Sequence, residues 1–353
     1  MQKKYNVRGE VSDVRQDGIL GEERFFRRKE KKMLQLLFHG MNQGISSFIG
    51  VLAAYGLTCI LLHCCGNLLP RDGGRDFAVD GKLSQGKPRG AGFVFILIFA
   101  VTVFVFLPLD RERSIYVILT VAAMLTGFLD DCSKAPWGEY KKGILDLIIS
   151  VMVAVTYINF NGSTLSIACL DMQIVIPKIV FGILVTLLVW VSINVTNCAD
   201  GVDGLSATLT SVTLMSFYFT AEATRLGEDY RYMTLLMVAC LLGYLWYNAT
   251  PSRMMMGDAG SRAMGLFIAI IALQSGHVLL YIPFAIVLVL DGGLGLVKVA
   301  LLRFLKIRIL KNTRTPLHDH VRKNLGWSNT QTVFKFAIVQ IVVAFAAAWL
   351  IRG

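Results

Sequence analysis

Charge is what this sequence has least of. Only 17% of its 353 residues are Asp, Glu, Lys or Arg, while 55% are hydrophobic; a soluble chain carries nearer a quarter charged. That shortage excludes an ordinary soluble domain. Metal-type cysteine spacing is missing too. The seven cysteines (Cys59, Cys64, Cys65, Cys132, Cys169, Cys198, Cys240) fall mostly in or beside apolar runs and read as small packing residues with no redox or metal duty. Residues 1–43 hold the cluster RRKEKK but no apolar core or small-residue cleavage site, which excludes a cleavable signal peptide. The long apolar runs also lack period-two alternation, and with it a membrane barrel.

What is present is a series of apolar runs of about 14–21 residues, most of them near the length that crosses a bilayer as a helix. Only helices satisfy their own backbone polar groups in lipid without closing a barrel, so the fold class is an all-α polytopic membrane protein. The runs are Ile45–Cys65, Phe93–Leu109, Ile115–Leu129, Ile144–Phe160, Ile176–Ile193, Ser206–Phe219 and Met233–Tyr247, two more between Ala263 and Leu302 with a break near Gly276-His277, and Val333–Leu350. They predict about ten transmembrane helices in a unit spanning 44–353, preceded by a charged tail. Gly292, Gly293 and Gly295 predict a kinked or discontinuous ninth helix. Asn161–Pro177 alternates in LSIACL and QIVI and is nearly free of basic residues, so it predicts a small extracytoplasmic hairpin.

The net charge of +11 does not point to nucleic acid. Basic residues gather in the tail and between runs, as the positive-inside bias expects, so the partner is membrane lipid. Five polar constellations follow odd-numbered spans: the basic loop 66–90 ending in GKLSQGKPRGAG, the Asp130-Asp131 turn, NVTNCADGVDGL at Asn194–Leu205, the Asp258 loop, and the loop holding His318 and His320. All five therefore fall on one face, and positive-inside counting makes that face cytoplasmic. The same parity puts the basic tail outside, against the bias.

Each constellation alone has an ordinary reading. Asp, Asn and Gly are common turn residues, and a basic loop is what topology supplies. Together they amount to a collection of carboxylates, amides, cations and histidines at a membrane surface. Oxygen-rich acidic sites suit Mg²⁺, which is usually shared with substrate phosphates. Phosphoryl transfer needs mainly positioning and charge neutralisation, so a lipid with a phosphate head group is the expected substrate.

Four motifs occur in order: DDxxK at Asp130–Lys134, NxxNxxDGxDGL at Asn194–Leu205, GDxGS at Gly257–Ser261 and TPLHxH at Thr315–His320. Together they resemble the polyprenyl-phosphate N-acetylhexosamine-1-phosphate transferase superfamily, and within it the branch that handles phospho-MurNAc-pentapeptide. The resemblance implies a cytoplasmic active-site cleft and Mg²⁺ as cofactor. It implies a UDP-sugar donor and undecaprenyl phosphate as substrates, with lipid I and UMP as products. It assigns catalytic roles to Asp130, Asp131, Asp200 and Asp258, with Asp258 and Asp131 as the metal-binding pair. Substrate contacts fall to Lys142, Asn194, Asn197, Gly201, Val202, Asp203, Asn248, Met255, His318, Asp319 and His320. A homodimer is an assembly it allows for.

The chain also departs from the pattern. Asp319 stands where the family carries the middle of three histidines, and Met255 where an aromatic would stack on uracil. The turn after Asp131 is short, and GKPRGAG only loosely matches the family's threonine-proline-glycine loop. These features lean toward relatives using UDP-GlcNAc for teichoic acid or O-antigen, whereas TPLHDH and the GWS after it lean toward the pentapeptide donor. From another class, a membrane transporter would hold its charges near the midplane between inverted repeats. Here they cluster at one face and no repeat is visible.

Overall fold

The computed structural model describes residues 43–74, 84–133, 135, 137–167 and 172–351. The charged tail, Arg75, Lys82, Lys134 and Cys169 lie outside the described residues. A helix occupies each expected apolar run: α1 (Gln43–Cys65), α2 (Ala91–Phe106), α3 (Arg111–Asp131), α4 (Glu139–Asn161), α5 (Lys178–Cys198), α6 (Leu205–Phe219), α7 (Glu228–Asn248) and α8 (Gly257–Gln274). The ninth run is broken into short α9 (Tyr281–Phe284) and α10 (Ile286–Ala300), and after a further helix, α11 (Leu317–Leu325), α12 (Asn329–Leu350) closes the chain. Two antiparallel strands, β1 (Thr164–Ile167) and β2 (Met172–Val175), form the expected hairpin, with Leu165 opposite Ile174.

Local chemistry marks the helix ends. Asp110 accepts the Arg113 N–H at 2.8 Å to cap α3, and Ser328 with Gln331 forms a reciprocal capping box on α12. Among the described residues five helices are each long and apolar enough to cross a membrane: α1, α3, α4, α5 and α12. The bent pair around Ala285 makes a sixth if taken as one span, and α2 and α6 are apolar but shorter. The chain is a mostly helical membrane protein.

α8 is the axis of the bundle. Every residue from Gly257 to Leu273 is buried, and its principal neighbours are α3 and α5, with α2 and α6 beside them. A helix apolar on all sides belongs in the centre. The outer helices instead expose Phe48, Ile118, Ile183 and Phe345, as lipid-facing surfaces do.

Two expectations need correction. The ninth run is discontinuous as expected, but the break is not at its glycines: the chain turns through 88° around Ala285. Pro283 sits just before the turn, where its missing N–H and its ring disfavour a continuous helix. The backbone groups freed there find side chains. The Thr213 hydroxyl donates to the Phe284 carbonyl at 2.9 Å, and Gln340 Oε1 accepts the Val287 N–H at 2.8 Å. Gly292 instead lets α10 lie directly on the Val195 backbone of α5. The second correction is α11, which forms inside a stretch that reads as loop.

Candidate active site

Three carboxylates meet where α3 ends and where α4 and α8 begin. Lys142, in the first turns of α4, places Nζ 2.5 Å from Asp130 Oδ2 and 2.8 Å from Asp258 Oδ2. Arg89, just before α2, reaches Asp131 with Nε at 2.8 Å, Asp258 with Nη2 at 3.3 Å and Asp72 with Nη1 at 3.5 Å. The second oxygen of Asp130 accepts the Trp137 N–H at 2.6 Å. Burial works against the Arg89 charge, yet Asp131, Asp258, Asp72 and Asp200 around it hold the guanidinium above its usual value.

Asp131 also does a structural job. Its two oxygens accept the Asp258 and Ala259 N–H groups at 3.2 and 3.1 Å, so a residue of α3 caps the N-terminus of α8. The residue before the helix, Met256, gives no side-chain cap. A carboxylate at that end answers both the free N–H groups and the helix dipole. Gly257 makes the approach possible: its φ of 69° suits glycine, and any Cβ there would run into the Asp131 carboxylate. The Gly-Asp of GDxGS is thus shaped by a residue more than a hundred positions earlier.

The loop holding Arg89 is stitched to the strand-like stretch before α8. Met255 N–H donates to the Pro88 carbonyl at 2.8 Å, and the Ala91 and Gly92 N–H groups donate to the Met255 and Met256 carbonyls at 3.0 Å. Lys87 Nζ reaches Ser252 Oγ at 3.0 Å, while the Ser252 N–H donates to Asp203 Oδ2 at 3.1 Å. Met254 and Met256 are core residues, and Met255 is half-buried between them.

Asn197 donates to Ser261 Oγ at 2.9 Å and stands beside Asp258. Asn248 is buried and spends its amide on backbone, accepting from Gly204 N–H at 2.8 Å and donating to the Met254 carbonyl at 2.9 Å. It fastens the signature loop to the Asp258 loop. Asn194 donates to the Trp190 carbonyl of its own helix at 2.8 Å. Val202 is buried, and Asp200 lies close enough to act on the Arg89 charge.

His318 comes from α11 to the same end. Its Nδ1 is 2.8 Å from Asp291 Oδ2, and its backbone N–H donates to Asp291 Oδ1 at 2.7 Å. Both side chains are buried, and the other ring nitrogen faces Gly201, where any side chain would overlap the imidazole. His320 accepts the Arg314 N–H at 3.3 Å. Asp319 makes a long ion pair of 3.8 Å with Arg322.

The structure therefore gathers Asp130, Asp131, Asp258, Lys142 and Asn197, with Asp200, Gly201, Asp203, Met255 and His318 close by. Asn194 and His320 turn toward backbone. Four residues escape a motif reading: Arg89 looks like topology, Asp72 sits in the same loop, and Asp146 and Asp291 hide in apolar runs. The last two did carry a signal, since an isolated carboxylate in a span is costly.

The set also suits a divalent cation. Among the described residues, Lys142 and Arg89 are the cations paired with Asp72, Asp130, Asp131 and Asp258, and the four carboxylates are hard oxygen donors. Among the described residues no three acidic, histidine or cysteine side chains enclose a metal-sized space; the Lys142 ammonium stands between Asp130 and Asp258. In donor chemistry the residues are of the kind that Mg²⁺ takes.

Residues 114–276 match Glycosyl transferase family 4. A phospho-N-acetylmuramoyl-pentapeptide-transferase of Treponema pallidum (strain Nichols) is 39% identical over 316 residues, covering 84% of this chain and 86% of its own length. The enzyme of the same name from Clostridium perfringens (strain 13 / Type A) is 30% identical over 273 residues, covering 74% and 83%. That of Carboxydothermus hydrogenoformans is 28% identical over 280 residues, covering 75% and 85%.

Proposed function

Because this chain belongs to the phospho-N-acetylmuramoyl-pentapeptide-transferase branch of glycosyl transferase family 4, we propose that it transfers phospho-MurNAc-pentapeptide from its UDP carrier to undecaprenyl phosphate. An oxygen of the lipid phosphate forms a bond to the sugar-bearing phosphorus. The bridge between the two donor phosphates breaks, UMP leaves and lipid I remains. The observation that carries this reading is the meeting of Asp130, Asp131 and Asp258 on Lys142 and Arg89. Such an array of fixed charges does what phosphoryl transfer demands.

Asp258 and Asp131 are the residues that would hold Mg²⁺, whose chemistry is to neutralise charge on the diphosphate. Lys142 and Arg89 release their carboxylates and hold the donor phosphates. Asp130, oriented by the Trp137 N–H, aligns the attacking lipid phosphate and takes its proton. Asp200 shares that charge field. His318, steadied by Asp291, presents its second ring nitrogen to the donor beside Gly201 and Val202. Met255 replaces ring stacking with thioether contact on the uracil. The cleft opens to the cytoplasm in a ten-span arrangement. Support for that topology comes from the helix found at each expected run and from the basic loops at the site end. A second copy of the chain is the protein partner, testable by the mass of the solubilised particle.

The direct test supplies purified protein with undecaprenyl phosphate, Mg²⁺ and either UDP-MurNAc-pentapeptide or UDP-GlcNAc. UMP release with a lipid-linked pentapeptide product, abolished by EDTA, is the expected result. Product from UDP-GlcNAc alone would overturn the donor assignment.

A further inference from the structure

Behind the site lies a second ion pair that the proposed chemistry does not touch. Arg262 of α8 donates from Nε to Asp146 Oδ1 of α4 at 3.0 Å, and its Nη2 contacts the same oxygen. The side chains are only 2% and 3% exposed. Nη2 also donates to the Lys142 carbonyl at 3.4 Å, while Nη1 is buried without a hydrogen-bond partner. Taking two charges out of water is expensive, and incomplete hydrogen bonding leaves the cost only partly offset. Stability alone is therefore a poor reason to keep the pair.

Position is a better one. Arg262 lies four residues after Asp258 and Asp146 four residues after Lys142, so each pair of neighbours shares one helix face. The two helices are thus joined by consecutive rungs of opposite polarity. In the outer rung the acid belongs to α8 and the base to α4; in the inner rung they are reversed. Crossed polarity forbids a slip of one turn, which would set Lys142 against Arg262 or Asp146 against Asp258. The carbonyl bond from Arg262 to Lys142 ties the inner rung to the very residue whose ammonium spans Asp130 and Asp258.

We infer that Arg262 and Asp146 are positioning residues, setting the register of α4 on α8 so that Lys142 reaches both catalytic carboxylates. The inference rests on the proposed transferase reaction for its kinetic consequence, but not for its structural one. The test is the Arg262→Met/Asp146→Leu double variant, which removes both charges and roughly keeps volume, a replacement that buried pairs commonly tolerate. Two readouts are taken in parallel: acetylation of Lys142 relative to exposed Lys311 by peptide mass, and steady-state turnover. Labelling of Lys142 should rise about fivefold as its carboxylate partners are lost. The kcat should fall about tenfold or more, with donor KM shifted less than about threefold. Arg262→Lys, which keeps a cation beside Asp146, should recover part of the kcat. It also serves as the test if the double variant fails to fold, because loss of the Lys142 carbonyl bond should still raise labelling.

Wild-type labelling and kcat in a folded double variant would overturn the inference. Raised labelling in a protein whose wild type turns over neither donor would uphold the pair and overturn the transferase reading. Turnover by the wild type with unchanged labelling would do the reverse.

Discussion

The two ends of α8 carry polar clusters of opposite character. At its N-terminus, carboxylates outnumber cations and share them: Lys142 serves two acids and Arg89 three. At its C-terminus, Glu112 takes its hydrogen bonds from neutral donors. Glu112 Oε1 accepts from Asn161 at 2.5 Å, Gln274 at 2.6 Å and the Tyr116 hydroxyl at 3.0 Å, locking α3, α4 and α8 together. One end has charge to exchange with a ligand. The other has its demand met within the protein. A carboxylate bonded to donors from three helices holds a fold, whereas a cluster of carboxylates sharing cations is poised for chemistry.

Substitutions at the two ends should separate these roles. Asp258→Asn should have the largest effect, lowering kcat by roughly 10²–10³-fold while the detergent-solubilised protein unfolds at nearly the wild-type temperature. Normal turnover would break the distinction at its stronger side. Asp291→Asn leaves His318 in place but removes the charge that orients it, and turnover should drop about 10–100-fold, read as UMP release. Glu112→Ala should behave in the opposite sense. Leaving the tyrosine and amide donors unsatisfied should cost about 1–3 kcal/mol of stability, seen as a lower melting temperature, with kcat of the folded enzyme unchanged. The smallest effect is a gain: Met255→Phe should lower the KM for the UDP donor about 2–10-fold if the side chain faces the uracil.

Much of this was legible in the residues because run length and motif order are one-dimensional signals. Helix positions follow from apolar runs, and Asp130, Asp131 and Asp258 announce themselves as charge beside a span. What the sequence hides is direction. Asn248 looks like Asn197, yet one amide is spent on loop backbone and the other stands beside Asp258. Asp291 finds His318 only because the chain folds back through α11. The 88° turn carries a local signal in Pro283, but the groups that satisfy it, Thr213 and Gln340, lie far from Ala285 in sequence, and Gly292–Gly295 do not mark it.

The Gln340 contact has a consequence for biosynthesis. α12 is made after α10, and this helix satisfies the backbone where α10 begins; α10 in turn carries Asp291 to His318. A chain still being translated can insert its earlier helices, yet it lacks the support that seats the histidine. Synthesis of α12 thereby becomes a condition for completion of the site, and products truncated before it should show no UMP release.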